Sequence, residues 1–390
     1  MKIVIIPNSP EMIGRHYSMA KALAARGHEI HYMLWELPHG MRLKQFVHHL
    51  LTSLFARTYD FESLHIHKVS RLPYFWPVVN GWLFALQTKR VFKRINADFI
   101  FSEAFSNETY VPKKLPVIYD LADDYYGPAD VFGSKLYKFA FTMLNVKGMM
   151  RRNTQNALAV TAVSEMLIKY ARQYNDTVVN LPNGVDGEVI KNVKSDMTTY
   201  PTNMHSLVYA SSFGRWSRVI DTMEAVRDLR KEFPDIDLTM AGGGPESDTI
   251  RQFIKDNQAE DYIHFLGSIN DRKLWFSTIN KGAIGLNISA KNKWRDAAHP
   301  IKVLEYSAMA KPVVSTDLEE VKALALSNVY IFSDNSGDGL IPTLRRALHD
   351  SELRADYREL SDQVIAKYDW QKIADDLVAL AQSLLKDRTK

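Results

Sequence analysis

The chain has 390 residues, of which 46% are hydrophobic and 24% charged, a composition typical of a folded protein of two or three domains. It has no cysteine, which excludes disulfides, thiolate metal sites and a cysteine nucleophile. The formal net charge is only +4, so we expect no nucleic-acid partner. No apolar run is long enough to span a bilayer. Because the first residues predict a buried strand rather than a signal peptide, we expect a cytoplasmic protein.

Positive charge is concentrated toward the amino terminus. Residues 1–155 hold 20 Lys and Arg against 12 Asp and Glu, whereas the remainder holds 29 against 33. The stretch 38–97 and the segment 134–153 both mix basic with aromatic residues, a combination suited to an anionic membrane surface. A second interpretation stays open, in which the rings belong to the core and the charges to a solvated face. The first interpretation predicts peripheral contact with the inner face of the cell membrane.

Short β-rich runs alternate with helical patterns along the whole chain. Most of these runs are nearly continuous in apolar residues, as in strands that are buried on both faces. In chain order the predicted strands are Lys2–Ile6, Glu29–Trp35, His65–Val69, Phe99–Glu103, Val117–Leu121, Ala159–Val163, Val178–Leu181, Leu207–Ala210, Asp237–Ala241, Tyr262–Leu266, Ala283–Ile288, Pro312–Thr316 and Val329–Phe332. Helices are predicted between them, for example over Val219–Phe233 and Thr249–Asn257. Such alternation predicts parallel sheets with helices on both faces.

The two series of strands predict an α/β protein of two doubly wound, Rossmann-like domains that face each other across a cleft. The turn Pro182–Gly184 and the polar stretch 191–203, which reads as a linker, separate the two series. We expect a first domain of residues 1–185, completed by a carboxy-terminal helix 371–390, and a second domain of residues 186–370. Ligands of such domains bind at the carboxyl ends of the strands, so we expect the site in the cleft.

Two loops that follow predicted strands of the second domain are candidate phosphate sites. The first contains Gly243, Gly244 and Glu246, and its glycines would allow a ligand to approach the backbone closely. The alternative is a plain tight turn between a strand and a helix. The second places Arg215 and Arg218 near a helix start, where guanidinium groups and free N–H groups can hold phosphate. The alternative here is a surface loop with two solvated arginines.

A third segment of the second domain, 299–317, places Lys302 and Glu305 on the same face of a predicted helix near its amino-terminal end. A lysine there suits a diphosphate, and a carboxylate one turn further accepts hydrogen bonds from a sugar diol. The alternative is a simple ion pair between the two side chains.

In the first domain, Asp120, Asp123 and Asp124 lie at the carboxyl end of a predicted strand. A carboxylate at this position could act as a general base for an incoming hydroxyl, or it could cap the next helix. The three aspartates offer too few oxygens for a Mg²⁺ site, and the histidines have no spacing typical of metal ligands. We therefore expect no metal site.

The motifs PNGVD, YASSFGR, AGGGPE, HFLGSI and PIKVLEYSAMAKPVVSTD follow one another between Leu181 and Glu320. As an ordered set they resemble the donor half of GT-B-fold glycosyltransferases, of family 4 or of related enzymes that make bacterial surface polysaccharides. The ending YDWQKIADDL is similar to the last helix of that family, which crosses back onto the first domain. The resemblance implies a hexosyltransferase that moves a sugar from a nucleotide-sugar, which we expect to be a UDP-sugar, to a hydroxyl of a glycan or lipid-linked acceptor.

The resemblance also implies roles for individual residues. Lys302 would contact the diphosphate of the donor, and Glu305 would bind its ribose. The backbone around Gly267 would hold the base, and the loop at Gly14 would approach the donor phosphates or the acceptor. The first domain would then bind the acceptor, and the pathway would be the synthesis of a cell-surface polysaccharide.

Two departures from the family pattern leave alternatives open. Retaining members carry a glutamate eight residues before the position of Glu305, where this chain has Ala297, and a lysine where it has Ser217. The stereochemical course therefore stays open, and Asp123 or Asp124 would be the base in an inverting enzyme. A nucleotide-sugar epimerase of the same fold and a non-catalytic nucleotide-binding scaffold are the alternative functions. Lysine, arginine and helix amino-termini would stabilise the leaving diphosphate, so we expect no metal or other cofactor.

Overall fold

The structure is a computed structural model that describes residues 1–9, 12–36, 56–70, 77–103, 111–128, 135, 138, 139, 142, 145–196, 201, 203–333, 339–349 and 357–388. The chain divides into two compact units. The first comprises Met1–Asn183 together with Trp370–Lys390, and the second comprises Gly184–Asp369. The sequence places the corresponding boundaries at residues 185/186 and 370/371.

An eight-stranded sheet forms the centre of the first unit, in the order β3-β4-β2-β1-β5-β6-β7-β8. Its strands are β1 (Lys2–Ile6), β2 (Glu29–Glu36), β3 (Arg57–Phe61), β4 (Leu64–Ser70), β5 (Phe99–Ser102), β6 (Val117–Leu121), β7 (Ala159–Ala162) and β8 (Val178–Asn180). All neighbours pair in parallel except β3 and β4, which are antiparallel. The order of the strands reverses between β1 and β5, so the loops after these two strands flank the usual ligand position of such a sheet.

Helices cover the first sheet. They are α1 (Gly14–Ala25), α2 (Pro77–Ile95), α3 (Val146–Asn156), α4 (Glu165–Ala171) and the last helix of the chain, α14 (Trp370–Arg388). In α14, Trp370, Ile373 and Leu377 recur at helical spacing and are buried in one core cluster with β1 and α1. The last helix is thus part of the first unit because its apolar face completes that core.

The second unit contains a six-stranded parallel sheet in the order β11-β10-β9-β12-β13-β14. Its strands are β9 (Ser206–Ala210), β10 (Asp237–Ala241), β11 (Ile263–Gly267), β12 (Ile284–Asn287), β13 (Val313–Thr316) and β14 (Val329–Phe332). The helices of this unit are α5 (Gly187–Asp196), α6 (Val219–Leu229), α7 (Ser247–Asp256), α8 (Arg272–Lys281), α9 (Lys293–Ala297), α10 (Ile301–Ala308), α11 (Glu319–Leu324), α12 (Leu340–His349) and α13 (Arg358–Tyr368). The reversal of strand order falls between β9 and β12. The prediction of two doubly wound α/β domains is confirmed.

Two details of the fold differ from the sequence-based expectation. Strand β3 was not predicted, because all five of its residues are exposed and carry no apolar pattern. The polar stretch 191–203, predicted as a linker, is helical as far as Asp196, and that prediction is wrong for residues 191–196. Ile190 and Val193 are buried in the core of the second unit, and this packing stabilises α5 despite its polar sequence. Residues 197–200 and 202 lie outside the described residues.

Candidate functional site

The loops that follow β9 and β12 lie against each other at the point where strand order reverses in the second unit. The Ala290 N–H donates a hydrogen bond to the carbonyl oxygen of Trp216 over 2.7 Å. The rings of Trp216 and Trp294 pack edge to face with centroids 5.1 Å apart. The Tyr209 hydroxyl contacts the carbonyl oxygen of Ser217 at 2.6 Å. Because ligands of such sheets bind at this point, the two loops form one candidate binding surface.

The glycine loop after β10 packs directly on the loop after β9. Gly242 and Gly244 have φ values of +132° and +147°. A Cβ at Gly242 would lie 1.7 Å from the carbonyl oxygen of Ser211, and one at Gly244 would lie 2.4 Å from that of Phe213. These glycines are therefore required for close packing between two backbones, which was the structural alternative for this motif. Their role in binding a nucleotide-sugar stays a prediction.

Gly243, Glu246 and Gly267 are partly exposed around the same loop. The Glu246 N–H donates to the carbonyl oxygen of Phe213, and the Gly267 carbonyl oxygen accepts the N–H of Gly242. Gly267 itself has a φ of +70° with open space where a Cβ would stand. These backbone contacts fix the three residues beside the β9 loop.

The two predicted arginines of the β9 loop lie in different environments. Arg215 is exposed, whereas the side chain of Arg218 is only 8% exposed and forms an ion pair with Asp221 at 2.6 Å. Between them, Ser217 is buried, and its hydroxyl donates to the carbonyl oxygen of Gly214. Of these three residues, Arg215 alone therefore presents an exposed side chain to a ligand.

Lys302 lies in the first turn of α10, and part of its surface stays accessible. Within the described residues, its ammonium makes no hydrogen bond and no ion pair. Burial, together with the nearby charge of Arg295, lowers the pKa of Lys302 to about 7, against a smaller opposing effect of Glu305. An anion bound next to Lys302 would stabilise the charged form of its ammonium.

Glu305 is nearly buried, and both of its oxygens already have partners. Arg272 donates to Oε1 at 2.5 Å, and the Trp275 indole N–H donates to Oε2 at 3.1 Å. The same arginine also pairs with Asp186 at 2.6 Å. The alternative of an ion pair between Lys302 and Glu305 is not what the structure contains, because the direct partner of the carboxylate is Arg272. A ribose would therefore have to share a carboxylate that these two donors orient.

In the first unit, Gly14 is exposed at the start of α1 with a φ of +74° and no atom near the position of a Cβ. The next two residues, Arg15 and His16, are buried and form a network of charges with Asp120 and Glu103. Arg15 contacts both oxygens of Asp120, at 2.7 and 3.0 Å. His16 lies between the two carboxylates, 2.9 Å from Glu103 and 3.0 Å from Asp120.

The remaining donors of Arg15 hold the chain where it leaves β8. They contact the carbonyl oxygens of Leu181 and Pro182 and the side chain of Asn183, at 2.8, 2.6 and 3.3 Å. Arg15 thus ties the start of α1 to residues 181–183, the end of the amino-terminal segment of this unit. With all these contacts made, its guanidinium is a structural group rather than a free anion ligand.

The three candidate aspartates of this unit separate into two kinds. Asp120 is fully buried and also accepts from the Thr161 hydroxyl, so the interpretation of Asp120 as a base is wrong. Asp123 and Asp124 are partly exposed. One oxygen of Asp123 accepts the Asp124 N–H at 2.8 Å, and one oxygen of Asp124 accepts the Tyr126 N–H at 3.1 Å. These two stay candidates for the base.

No group of three or more histidine or acidic side chains suited to a metal ion occurs among the residues that the structure describes.

Sequence reasoning missed most of the charged network. Glu103 follows β5, and the Asn8 N–H, after β1, donates to it at 3.2 Å. Both strands flank the reversal of the first sheet, so the strand prediction could have marked Glu103 as a candidate. Arg272 and Trp275 carried no such signal, because they lie on α8, far from Glu305 in the sequence.

The two units define a class of protein with two doubly wound domains, the GT-B fold. The structure is similar to that of Anabaena Alr3699/HepE in complex with UDP and glucose, with a TM-score of 0.68 and 14% identity over 98% of this chain and 100% of that one. Residues 197–363 match the model of the family described as glycosyl transferases group 1. This match covers most of the second unit, and the resemblance to GT-B glycosyltransferases expected from the motifs is confirmed.

Two curated proteins are similar to this chain in sequence. A phosphatidyl-myo-inositol mannosyltransferase from Mycolicibacterium smegmatis is 20% identical over 63% of this chain and 62% of its own length. An N-acetyl-alpha-D-glucosaminyl L-malate synthase from Bacillus anthracis is 26% identical over 64% of this chain and 62% of its own length. The matched part of the chain thus spans less than two thirds of either relative.

We predict that the buried charge of His16 stabilises the first unit in a pH-dependent way. Burial opposes the charge, but Glu103 and Asp120 outweigh it and raise the pKa of His16 from 6.5 to about 9. The stabilisation is complete below pH 6.5 and is lost as the pH rises through 9, by about 3 kcal/mol in total.

The measurement is urea denaturation of the wild type and of His16→Gln at pH 6.5, 7.5 and 9. The difference in the free energy of unfolding between the two should shrink as the pH rises. A difference for His16→Gln that stays constant from pH 6.5 to 9 would contradict the prediction.

Proposed function

We propose that the protein transfers a sugar from a nucleotide-sugar, a UDP-sugar, to a hydroxyl of a glycan or lipid-linked acceptor in the synthesis of a cell-surface polysaccharide. The observation that carries the proposal is the ammonium of Lys302, which has no partner within the described residues and lies near the strand-order reversal of the unit that matches the group 1 glycosyltransferase model. The presence of UDP and glucose in the similar Anabaena structure and the transferase and synthase names of the curated relatives support it.

Catalysis in this proposal depends on the charge that develops on the leaving diphosphate as the glycosidic bond breaks. Lys302 lies in the first turn of α10, where the amide N–H groups of the helix also point toward an anion. Arg215, on the loop after β9, adds an exposed cation. Because these groups can stabilise the leaving group, we propose that transfer needs no divalent metal.

The donor ribose would bind at Glu305, whose carboxylate Arg272 and Trp275 hold in one orientation. The second unit would then bind the nucleotide-sugar, and the first unit would bind the acceptor across the expected cleft. In an inverting reaction Asp123 or Asp124 would remove the proton of the acceptor hydroxyl. One oxygen of each accepts a backbone N–H, a contact that would orient the carboxylate.

The experiment is incubation of the purified protein with labelled UDP-sugars and a bacterial membrane extract, with and without EDTA. We expect transfer of the label to the extract, unchanged by EDTA. An isomerised sugar without transfer would instead indicate an epimerase, and neither product would indicate a scaffold. Transfer that stops with EDTA and returns with Mg²⁺ or Mn²⁺ would contradict metal independence alone.

Variants assign the roles within the same assay. We predict that Lys302→Met lowers the rate of transfer at least 100-fold, because it removes a charge that stabilises the leaving group. Lys255→Met, which changes an exposed lysine on α7, is the matched control and should keep the wild-type rate.

For an inverting enzyme, Asp123→Asn or Asp124→Asn should lower the rate about 100-fold or more. Full activity of both asparagine variants would contradict the assignment of the base.

We also propose that the protein lies on an anionic membrane surface through α2. Trp82 and Leu86 are 69% and 54% exposed, one turn apart on this helix. Exposed basic residues follow them at positions 89, 90, 93 and 94. None of the described helices is both long and apolar enough to cross a bilayer. The aromatic and basic residues at 37–55 and 71–76, and most of those at 134–144, lie outside the described residues.

Sedimentation with anionic and neutral liposomes at low and high salt tests this proposal. We expect binding to the anionic vesicles that weakens at high salt, because the positive charges are screened. Trp82→Ser combined with Leu86→Ser should weaken it further. The control is Leu274→Ser, which removes an equally exposed leucine from the second unit. Absence of binding at both salt concentrations, or equal binding by both variants, would contradict the proposal.

A further inference from the structure

Among its described residues, the loop after β9 offers a ligand only one well-exposed cation, Arg215. Ser217 stands where the resembled family has a lysine, and it is buried with its hydroxyl on Gly214. Arg218 is mostly buried and paired with Asp221. A diphosphate bound here could therefore interact with further cations from other elements besides Lys302.

Arg295 is placed to supply that cation. It lies on α9, directly after the loop of β12, on the other side of the strand-order reversal from the β9 loop. Trp294, its neighbour in the chain, packs against Trp216 of the β9 loop with ring centroids 5.1 Å apart. The Arg295 guanidinium donates through Nε to the hydroxyl of Ser289 at 3.4 Å. The Arg295 side chain therefore extends from the surface that the two loops form.

The charge of Arg295 also acts on the other groups of this surface. It lowers the pKa of Lys302, secondarily to burial, and its field reaches Tyr209 at the end of β9 together with that of Arg218. An anion bound at this surface would therefore be attracted by both cations. Guanidinium groups bind phosphate oxygens through two parallel hydrogen bonds, which suits a diphosphate better than a ribose or a base.

We propose that Arg295 binds the diphosphate of the donor together with Lys302, in the role that the family pattern gives to a lysine at position 217. This inference rests on the proposed function, since it assigns a further residue to the same site. Arg295 would contact the phosphate oxygens directly and neutralise part of the charge of the leaving group.

The test is calorimetric binding of UDP, UMP and uridine to the wild type, Arg295→Met and Arg295→Lys. We expect Arg295→Met to weaken the binding of UDP at least tenfold and to leave that of uridine unchanged. Arg295→Lys, which keeps the charge but loses the forked geometry, should weaken the binding of UDP by a smaller factor. Lys293→Met is the matched control, because it removes an exposed cation from the same short helix, and it should bind UDP as the wild type does.

Several outcomes would overturn the inference. Binding of UDP to Arg295→Met within twofold of the wild type would show that Arg295 does not contact the diphosphate. An equal loss for UDP and uridine would show a structural role only. If Arg295→Met fails to fold, unchanged binding of UDP by Arg295→Lys decides against it. If the wild type binds UDP without a contribution from Arg295, the role of Arg295 is contradicted and the proposed function is not. If the wild type binds no nucleoside diphosphate, both the role of Arg295 and the proposed function are contradicted.

Discussion

An ammonium group without a partner is costly where water is partly excluded, and Lys302 of the second unit, which has no partner within the described residues, is in that situation. The energetic cost is visible in its pKa, which burial and Arg295 lower to about 7. A fold that needed α10 only for packing could place an apolar residue there. The retained cation, beside a second one and at the point where strand order reverses, is the constraint on which the account of the donor site depends.

The arrangement of buried charged side chains near the strand-order reversal differs between the two units. In the first unit, Arg15 and His16 face Asp120 and Glu103, so two cations meet two carboxylates and the network is neutral. In the second unit, Lys302 and Arg295 share a surface, and the nearby carboxylate of Glu305 is bound to Arg272. The first arrangement fixes the backbone between α1 and residues 181–183. The second places two cations at a surface where a diphosphate would be attracted by both.

The features that depend on local pattern were predictable from the sequence, and those that depend on distant pairing were not. Val313–Thr316 is a continuous β-rich run and forms β13, and the short spacing of Lys302 and Glu305 places both on α10. By contrast, Arg15 and Asp120 lie 105 residues apart, and Arg272 and Glu305 lie 33 apart. No periodicity reports such contacts. The requirement for glycine at position 242 could not be predicted either, because the carbonyl oxygen of Ser211, on another loop, leaves no space for a side chain.

Proton uptake on binding of UDP tests the central claim, that Lys302 meets the donor diphosphate, most directly. At pH 8 free Lys302, with a pKa of about 7, is mostly neutral, whereas the phosphates of UDP are ionised. Calorimetry in two buffers of different ionisation enthalpy should then show the uptake of close to one proton by the wild type and much less by Lys302→Met. Binding of UDP without proton uptake, or equal uptake by both proteins, would contradict the account.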